Sequence, residues 1–171
     1  MRKIILFIAS SLDGYIARAS GEIDWLFTDQ DYGYTEFYNQ VDTLIMGNKT
    51  YQQVLSFGEY PYKDKEVLVF SQTQQGETDN NTKFVNNNWE DLIRILKISN
   101  GRDIWLVGGA QLIHVFLKHH FIDEIILSIH PIILGSGIPL ILNDPSLETE
   151  LQLKDVKTFD TGLVQIFYNL N

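Results

Sequence analysis

The stretch IWLVGGAQLI, residues 104–113, decides the fold. It completes an apolar run over Asp103–Val107, the pattern of a strand buried on both faces. Gly108-Gly109 breaks that run and leads into a helix whose spacing carries it to about Lys118. The same order recurs at Thr43–Met46, a short buried strand ended by Gly47 and followed by one or two helical turns over Lys49–Leu55. Lys3–Ala9 and Glu66–Ser71 are two further buried strands, the first closed by a Ser-Leu-Asp-Gly turn. Tyr34, Phe37, Tyr38 and Val41 share one helical face, which predicts a helix from about Asp31 to Val41. Asn88 is placed to cap a helix over Trp89–Ser99, with Leu92, Ile95 and Leu96 inward and Asn100-Gly101 as the stop. Lys83–Asn86 reads as a minor strand and Ile122–His130 as a long one, and Pro131–Leu142 is extended but broken by glycines and Pro139. Leu151–Phe159 and Val164–Leu170 alternate as two strands turned at Asp160-Thr161-Gly162. The order predicts an α/β fold with a mostly parallel central sheet, helices on both faces and a C-terminal antiparallel hairpin.

The 171 residues, 44% apolar and 20% charged, have a globular composition and the size of a single domain spanning 1–171. The absence of cysteine excludes a disulfide scaffold, a thiol nucleophile, an iron–sulfur cluster and a cysteine zinc site. Thirteen Lys+Arg against 22 Asp+Glu give a formal charge of −9, which argues against nucleic-acid and membrane-surface roles. Arg2-Lys3 followed by IILFIA imitates a secretory leader, but the run is short and ends at Ser10-Ser11-Leu12-Asp13 without a cleavage pattern. It reads as a buried strand, and the expected location is the cytoplasm.

Ligands of parallel sheets sit outside the carboxyl ends of the strands. The informative residues are therefore Ser10–Ala17, Gly47-Asn48-Lys49-Thr50, Ser71-Gln72 and Gly108-Gly109-Ala110-Gln111. A glycine before a helix offers free N–H groups and partial positive charge to a phosphate, and two such sites on neighbouring strands suit a dinucleotide. The plain alternative at each is a tight strand-to-helix turn. No G-x-G-x-x-G, Walker loop, G-x-S-x-G or H-E-x-x-H pattern occurs, His119-His120 reads as a solvated helix end, and no metal site is expected. Asn80-Asn81-Thr82 matches a glycosylation sequon without a leader to support it. Glu77, Asp79, Glu148, Glu150 and Asp155 lie in polar stretches and read as solvated, whereas Asp13, Asp29 and Asp31 fall near the ligand face. Asp13 before Gly14 suits a turn. Asp31 suits either an N-terminal helix cap or a catalytic acid.

Taken together, FIASSLDGYIA at 7–17, GEIDWL at 21–26, DTLIMGNKTYQQVL at 42–55, VLVFSQT at 67–73, IWLVGGAQLI at 104–113 and IILSIHPIILGSGIPLI at 125–141 resemble the dihydrofolate reductase superfamily. The most similar branch is the reductase domain of the bacterial riboflavin-synthesis deaminase-reductase, and the resemblance does not extend to that protein's zinc-binding deaminase half. It implies a dihydrofolate reductase-like fold, NADPH as cofactor, a homodimer, and hydride transfer to a small heterocyclic (pterin or pyrimidine) or carbonyl substrate. Ala9 and Ile16 resemble the positions whose backbones hold the nicotinamide carboxamide. Gly47, Asn48, Lys49 and Thr50 resemble the turn under the phosphates, Ser71 and Gln72 the loop at the adenosine end, and Val107, Gly108, Gly109, Ala110 and Gln111 the turn against the pyrophosphate. Asn48 and Gln111 stand where relatives carry cations, which weakens the preference for NADPH over NADH. Lys65 stands where folate reductases carry the arginine for the glutamate tail. The acid beside the substrate falls at Asp31 counting from Gly47, or between Asp29 and Asp31 counting from Trp25, and Ser128 matches the hydroxyl facing it. A carboxyl packed near Trp25 and Phe27 is expected to have a raised pKa. Two alternatives keep the fold: a nucleotide-binding protein without turnover, and a flavin in place of the nicotinamide. Ile122–His130 and Pro131–Leu142 are candidates for the dimer interface or, equally, for core.

Overall fold

The computed structural model describes residues 1–73, 76–77 and 81–170. The strands are β1 (Ile4–Ser11), β2 (Tyr15–Ala17), β3 (Val41–Gly47), β4 (Glu66–Phe70), β5 (Gly76–Glu77), β6 (Thr82–Val85), β7 (Asp103–Gly108), β8 (Glu124–His130), β9 (Ile138–Pro139), β10 (Leu151–Thr158) and β11 (Val164–Leu170). The helices are α1 (Tyr34–Gln40), α2 (Asn48–Ser56), α3 (Trp89–Ile98) and α4 (Ala110–Lys118). Nine strands form one sheet in the order β10-β11-β8-β1-β7-β3-β4-β6-β5, and β2 pairs separately with β9. From β8 to β6 every pairing is parallel, with β11 and β10 antiparallel at one edge and β5 at the other.

The unbroken apolar runs follow from burial on both faces. Ile4 and Leu6 point with Ile45, Ile104 and Leu106 toward α3 and α4, where Ile93, Ile113 and Phe116 are fully buried. Ile5 points the other way with Leu44, Met46, Val67 and Trp105, toward Phe37 of α1 and Tyr51 and Val54 of α2. Alternation is hidden because both sides of each strand meet a helix layer.

Several expected boundaries shift for local reasons. α1 starts only at Tyr34, after Gly33 at φ 79°, and ends where Val41 enters β3. Asn88 precedes α3 as expected but sits at φ 53°, and its side chain makes no capping bond. In α3 the fully buried residue is Ile93, and Ile95 is 61% exposed, because two positions on a helix lie about 200° apart. Ile122–His130 is not a surface: β8 runs between β1 and β11, and Ile122, Ile125 and Ile126 fill the core. Pro131–Leu142 contributes only β9, whose pairing with β2 brings the segment against the chain leaving β1. The expectations for Asp79, Asn80 and the Glu77 side chain lie outside the described residues. Among the described residues no helix is long and apolar enough to cross a membrane.

Ionic groups concentrate at the amino ends of the strands. Buried Arg2 pairs with Asp42 and donates to Thr43 Oγ1 (2.6 Å) and the Arg102 carbonyl, while Asp42 also accepts from the Arg102 N–H (2.7 Å). Lys97 pairs with Asp123 (2.7 Å), whose carboxylate also accepts the Ile4 N–H (2.7 Å). Burial pushes the Glu124 carboxyl up, but Lys3 and Lys154 on either side outweigh it and hold it below its ordinary value. Gly101 closes over this network at φ 152°, where a Cβ would lie 2.8 Å from Asp42 Oδ2 and 2.9 Å from Arg2 Cζ. Gly101→Ala is therefore expected to cost roughly 2–4 kcal/mol by backbone strain and disruption of the Arg2–Asp42 pair. Thermal unfolding will show it as a Tm lowered by about 5–15 °C.

Candidate functional site

The sheet order sets Ser71, Gly47, Gly108, Ala9 and Ser128 along one edge, at the carboxyl ends of β4, β3, β7, β1 and β8. Two features share that edge: a glycine-lined cradle over β3 and β7, and a cleft over β1 and β8.

In the cradle, Gly47 leads into α2 and Gly108-Gly109, joined by a cis peptide, lead into α4. Met46 pairs with Gly108, so the two helix starts are neighbours, and neither has a side-chain cap. A Cβ on Gly47 would lie 3.9 Å from the Gly108 carbonyl oxygen and the Gly109 nitrogen, and one on Gly109 would lie 3.4 Å from Thr50 Oγ1. Asn48 Oδ1 is buried without a hydrogen-bond partner, and Lys49 is exposed. Ser71 is buried at the end of β4, its N–H donating to the Val85 carbonyl (3.0 Å), with Gln72 exposed beside it. Val107 and Ala110 are packed inward and Gln111 faces solvent. Unpaired helix-start N–H groups beside glycines fit the phosphates of a dinucleotide. Ile16 lies on β2 and packs toward the α4 side of the sheet.

The cleft encloses about 400 Å³. Phe7, Ile8 and Ala9 of β1 and Ser128 and His130 of β8 line it together with Tyr34 of α1, Leu163, and Leu26, Phe27, Gln30, Asp31 and Tyr32 of the preceding loop. Ser128 Oγ accepts from Gln165 Nε2 (3.0 Å), and Gln165, itself buried, also donates to the Tyr32 carbonyl (3.2 Å). The Ser128 hydroxyl hydrogen is thus left to donate to a ligand.

Asp31, not Asp29, lines the cleft; Asp29 is exposed and accepts from the Tyr32 hydroxyl (2.7 Å). The raised pKa expected for Asp31 is overturned. Its carboxylate is exposed and accepts the Thr35 hydroxyl (2.6 Å) and, with both oxygens, the Thr35 N–H (3.1 Å), which holds it below its ordinary value. Trp25 and Phe27 pack instead on His130, at 5.3 and 5.0 Å between ring centroids. Lys65 does not face a ligand either: it is buried and donates to the Tyr38 and Val41 carbonyls (3.1 and 2.9 Å) where α1 ends. Asp13 exceeds a turn role. It accepts from Ser11 Oγ (2.6 Å) and from the N–H groups of Leu134 (3.1 Å) and Gly135 (2.7 Å), tying the chain after β1 to the chain after β8, and these bonds, Ser11's foremost, lower its pKa. Nearby, a Cβ on Gly137 would stand 2.3 Å from the Ala17 carbonyl oxygen.

His130 is the residue that sequence reasoning missed. Nε2 accepts the Phe27 N–H (3.2 Å) and Nδ1 lies 3.3 Å from the Ser128 carbonyl oxygen, contacts that the neutral tautomer protonated at Nδ1 satisfies together. Its only signal was its place at the end of an apolar strand ahead of Pro131. Burial pushes its pKa below the ordinary imidazole value, opposed by the Ser128 carbonyl. The unfolded chain therefore binds a proton first as pH falls through about 6.5, and acidification favours unfolding. Between pH 7.5 and 5.5 the wild-type Tm is expected to drop, and His130→Gln, which keeps an acceptor for Phe27, is expected to flatten that drop.

The profile of the RibD C-terminal domain matches residues 2–165. The uncharacterized protein YyaP of Bacillus subtilis is 41% identical over 182 aligned residues, covering 99% of this chain and 96% of that protein. A Shewanella sp. PV-4 structure described as a riboflavin biosynthesis protein superposes with a TM-score of 0.87 at 32% identity, covering 100% of this chain and 99% of the other. The diaminohydroxyphosphoribosylaminopyrimidine deaminase/5-amino-6-(5-phosphoribosylamino)uracil reductase of Thermotoga maritima shares the fold, with a TM-score of 0.75 at 19% identity over 99% of this chain and 57% of its own. The expected dihydrofolate reductase-like architecture and the branch named from the motifs are both met, and the chain belongs to the RibD C-terminal domain family.

Proposed function

We propose that the protein is an NADPH-dependent reductase that delivers hydride to a small heterocyclic or carbonyl compound held in the cleft. The observation that carries this reading is the adjacency of the cradle and the cleft on one sheet edge. Two neighbouring uncapped helix starts suit a pyrophosphate, and an aromatic cleft suits a planar acceptor. Backbone groups of Ala9 and Ile16 are the proposed contacts to the carboxamide, and Lys49 is the cradle's basic residue for a ribose phosphate. When bound, NADPH supplies the hydride. This chain's residues supply orientation, exclusion of water and stabilisation of the heteroatom that gains charge. The Ser128 hydroxyl donates to that heteroatom. Asp31, kept ionised by Thr35, is not the proton donor but accepts from the ring of the bound compound, and solvent supplies the proton. A protein that binds nucleotide without turnover would need the cradle but not the Ser128–Gln165 arrangement. The two copies implied by the resemblance would pair along β10, an edge strand with all eight residues exposed, including Leu151, Leu153 and Val156. Light scattering after size exclusion will give about twice 19.7 kDa if they do, and a monomer mass if they do not.

NADPH at 100 times its dissociation constant should add about 2.7 kcal/mol, a rise in Tm of roughly 5–10 °C. Gly109→Val, which fills the cradle beside Thr50, should fold yet lose at least tenfold in NADPH affinity. The absence of any nicotinamide-induced shift in the wild type would end the reductase reading. Ser128→Ala should lower kcat about 10–100-fold with NADPH affinity unchanged, checked by NADPH oxidation at 340 nm once an acceptor is in hand.

A further inference from the structure

We infer that the compound taken by the cleft is an uncharged planar heteroaromatic ring bearing neither phosphate nor carboxylate. This deepens the reductase reading and rests on it.

The walls favour a flat ring. Phe27, Tyr32 and Tyr34 stand around an opening of about 400 Å³ above Phe7 and Ala9. The electrostatics select against anions. Among the described residues lining the cleft, Asp31 carries the one formal charge, and it is negative. Its carboxylate accepts the Thr35 N–H at the start of α1, so the N–H group that would attract an anion at this rim is already engaged by an acid of the chain itself.

No lysine or arginine is among the described residues that line the cleft; Lys49 belongs to the cradle, and Arg18 and Lys65 are held elsewhere. Arg18 is held by Asp24 through two bonds (2.6 and 2.9 Å). Lys65 is buried against the Tyr38 and Val41 carbonyls, at the opposite end of the strands. Lys157, exposed on the outermost strand with Nζ 5.1 Å from the centre of the Phe167 ring, lies outside the cleft lining. His130 is neutral, with both ring nitrogens engaged by backbone groups. A phosphate or carboxylate entering here would meet an ionised acid at the rim and no cation among the described lining residues. The Thermotoga enzyme is named for a phosphoribosyl compound. This cleft has no matching partner for such a group among the described residues that line it.

The test is a fluorescence titration at pH 7 of the full chain, saturated with NADP⁺, using two probes of one ring: 6-hydroxymethylpterin and pterin-6-carboxylate. The neutral probe is expected to bind at least tenfold more tightly than the carboxylate. Asp31→Asn should narrow that ratio to less than threefold. Gln30→Lys, at an exposed position on the cleft wall, should tighten the carboxylate at least fivefold more than it changes the neutral probe. Equal or tighter binding of the carboxylate by the wild type, or binding of neither probe up to its solubility, overturns the inference. The Tm rise produced by NADP⁺ alone reports separately on the reductase reading, so failure of one is distinguishable from failure of the other.

Discussion

Burial of the parallel sheet on both faces is the constraint from which the rest follows. With α1 and α2 on one side and α3 and α4 on the other, the six central strands are covered over most of their length, and space for a ligand opens only toward their carboxyl ends, over Phe7–Ala9 of β1 and Ser128–His130 of β8 among them. Only the strand ends remain, and the two ends have been given different work. At the amino ends, Arg2, Asp42, Lys97, Asp123 and Glu124 interlock the strands. At the carboxyl ends the β3 and β7 termini carry glycines and uncapped helix starts, which cost little to desolvate around an anion and nothing in side-chain entropy.

How much of this could be read from the residues alone differed by element, for physical reasons. Strands such as β3 and β7 announce themselves because burial on two sides leaves Leu44–Met46 and Ile104–Val107 without a polar residue, and Gly47 and Gly108 mark where they stop. β2, β5 and β9 are only two or three residues long, too short for any period to register. In α3 Leu92 and Leu96 pack inward as expected and Ile95 does not, because the apolar positions Trp89, Leu92, Ile93, Ile95, Leu96 and Ile98 spread over about 220° of the helix and burial had to choose among them.

The cradle was legible as a run of motif residues, whereas the cleft was not, because its properties arise from pairs distant in sequence. Nothing near Asp31 in the chain except Thr35 reveals that it would be kept ionised, and the expectation of a raised pKa followed from neighbours, Trp25 and Phe27, that turn toward His130 instead. His130 joins Phe27 across 103 residues, and Ser128 meets Gln165 across 37. Such contacts are set by strand order, which places β11 beside β8, and not by any local spacing.

The tether at Asp13 has an evolutionary consequence. One carboxylate fastens the chain after β1 to the chain after β8, and at Gly137 the two backbones approach too closely to admit a side chain. These two segments therefore cannot drift independently: an insertion or deletion in one would pull its partner out of register. Diversification along this flank of the sheet should proceed by paired changes in the two segments, whereas the loop before α1, which gives Leu26, Phe27 and Gln30 to the cleft and is held by Trp25 and Phe27 on His130 and by the Gly21 carbonyl on Gln53, can vary without either of them.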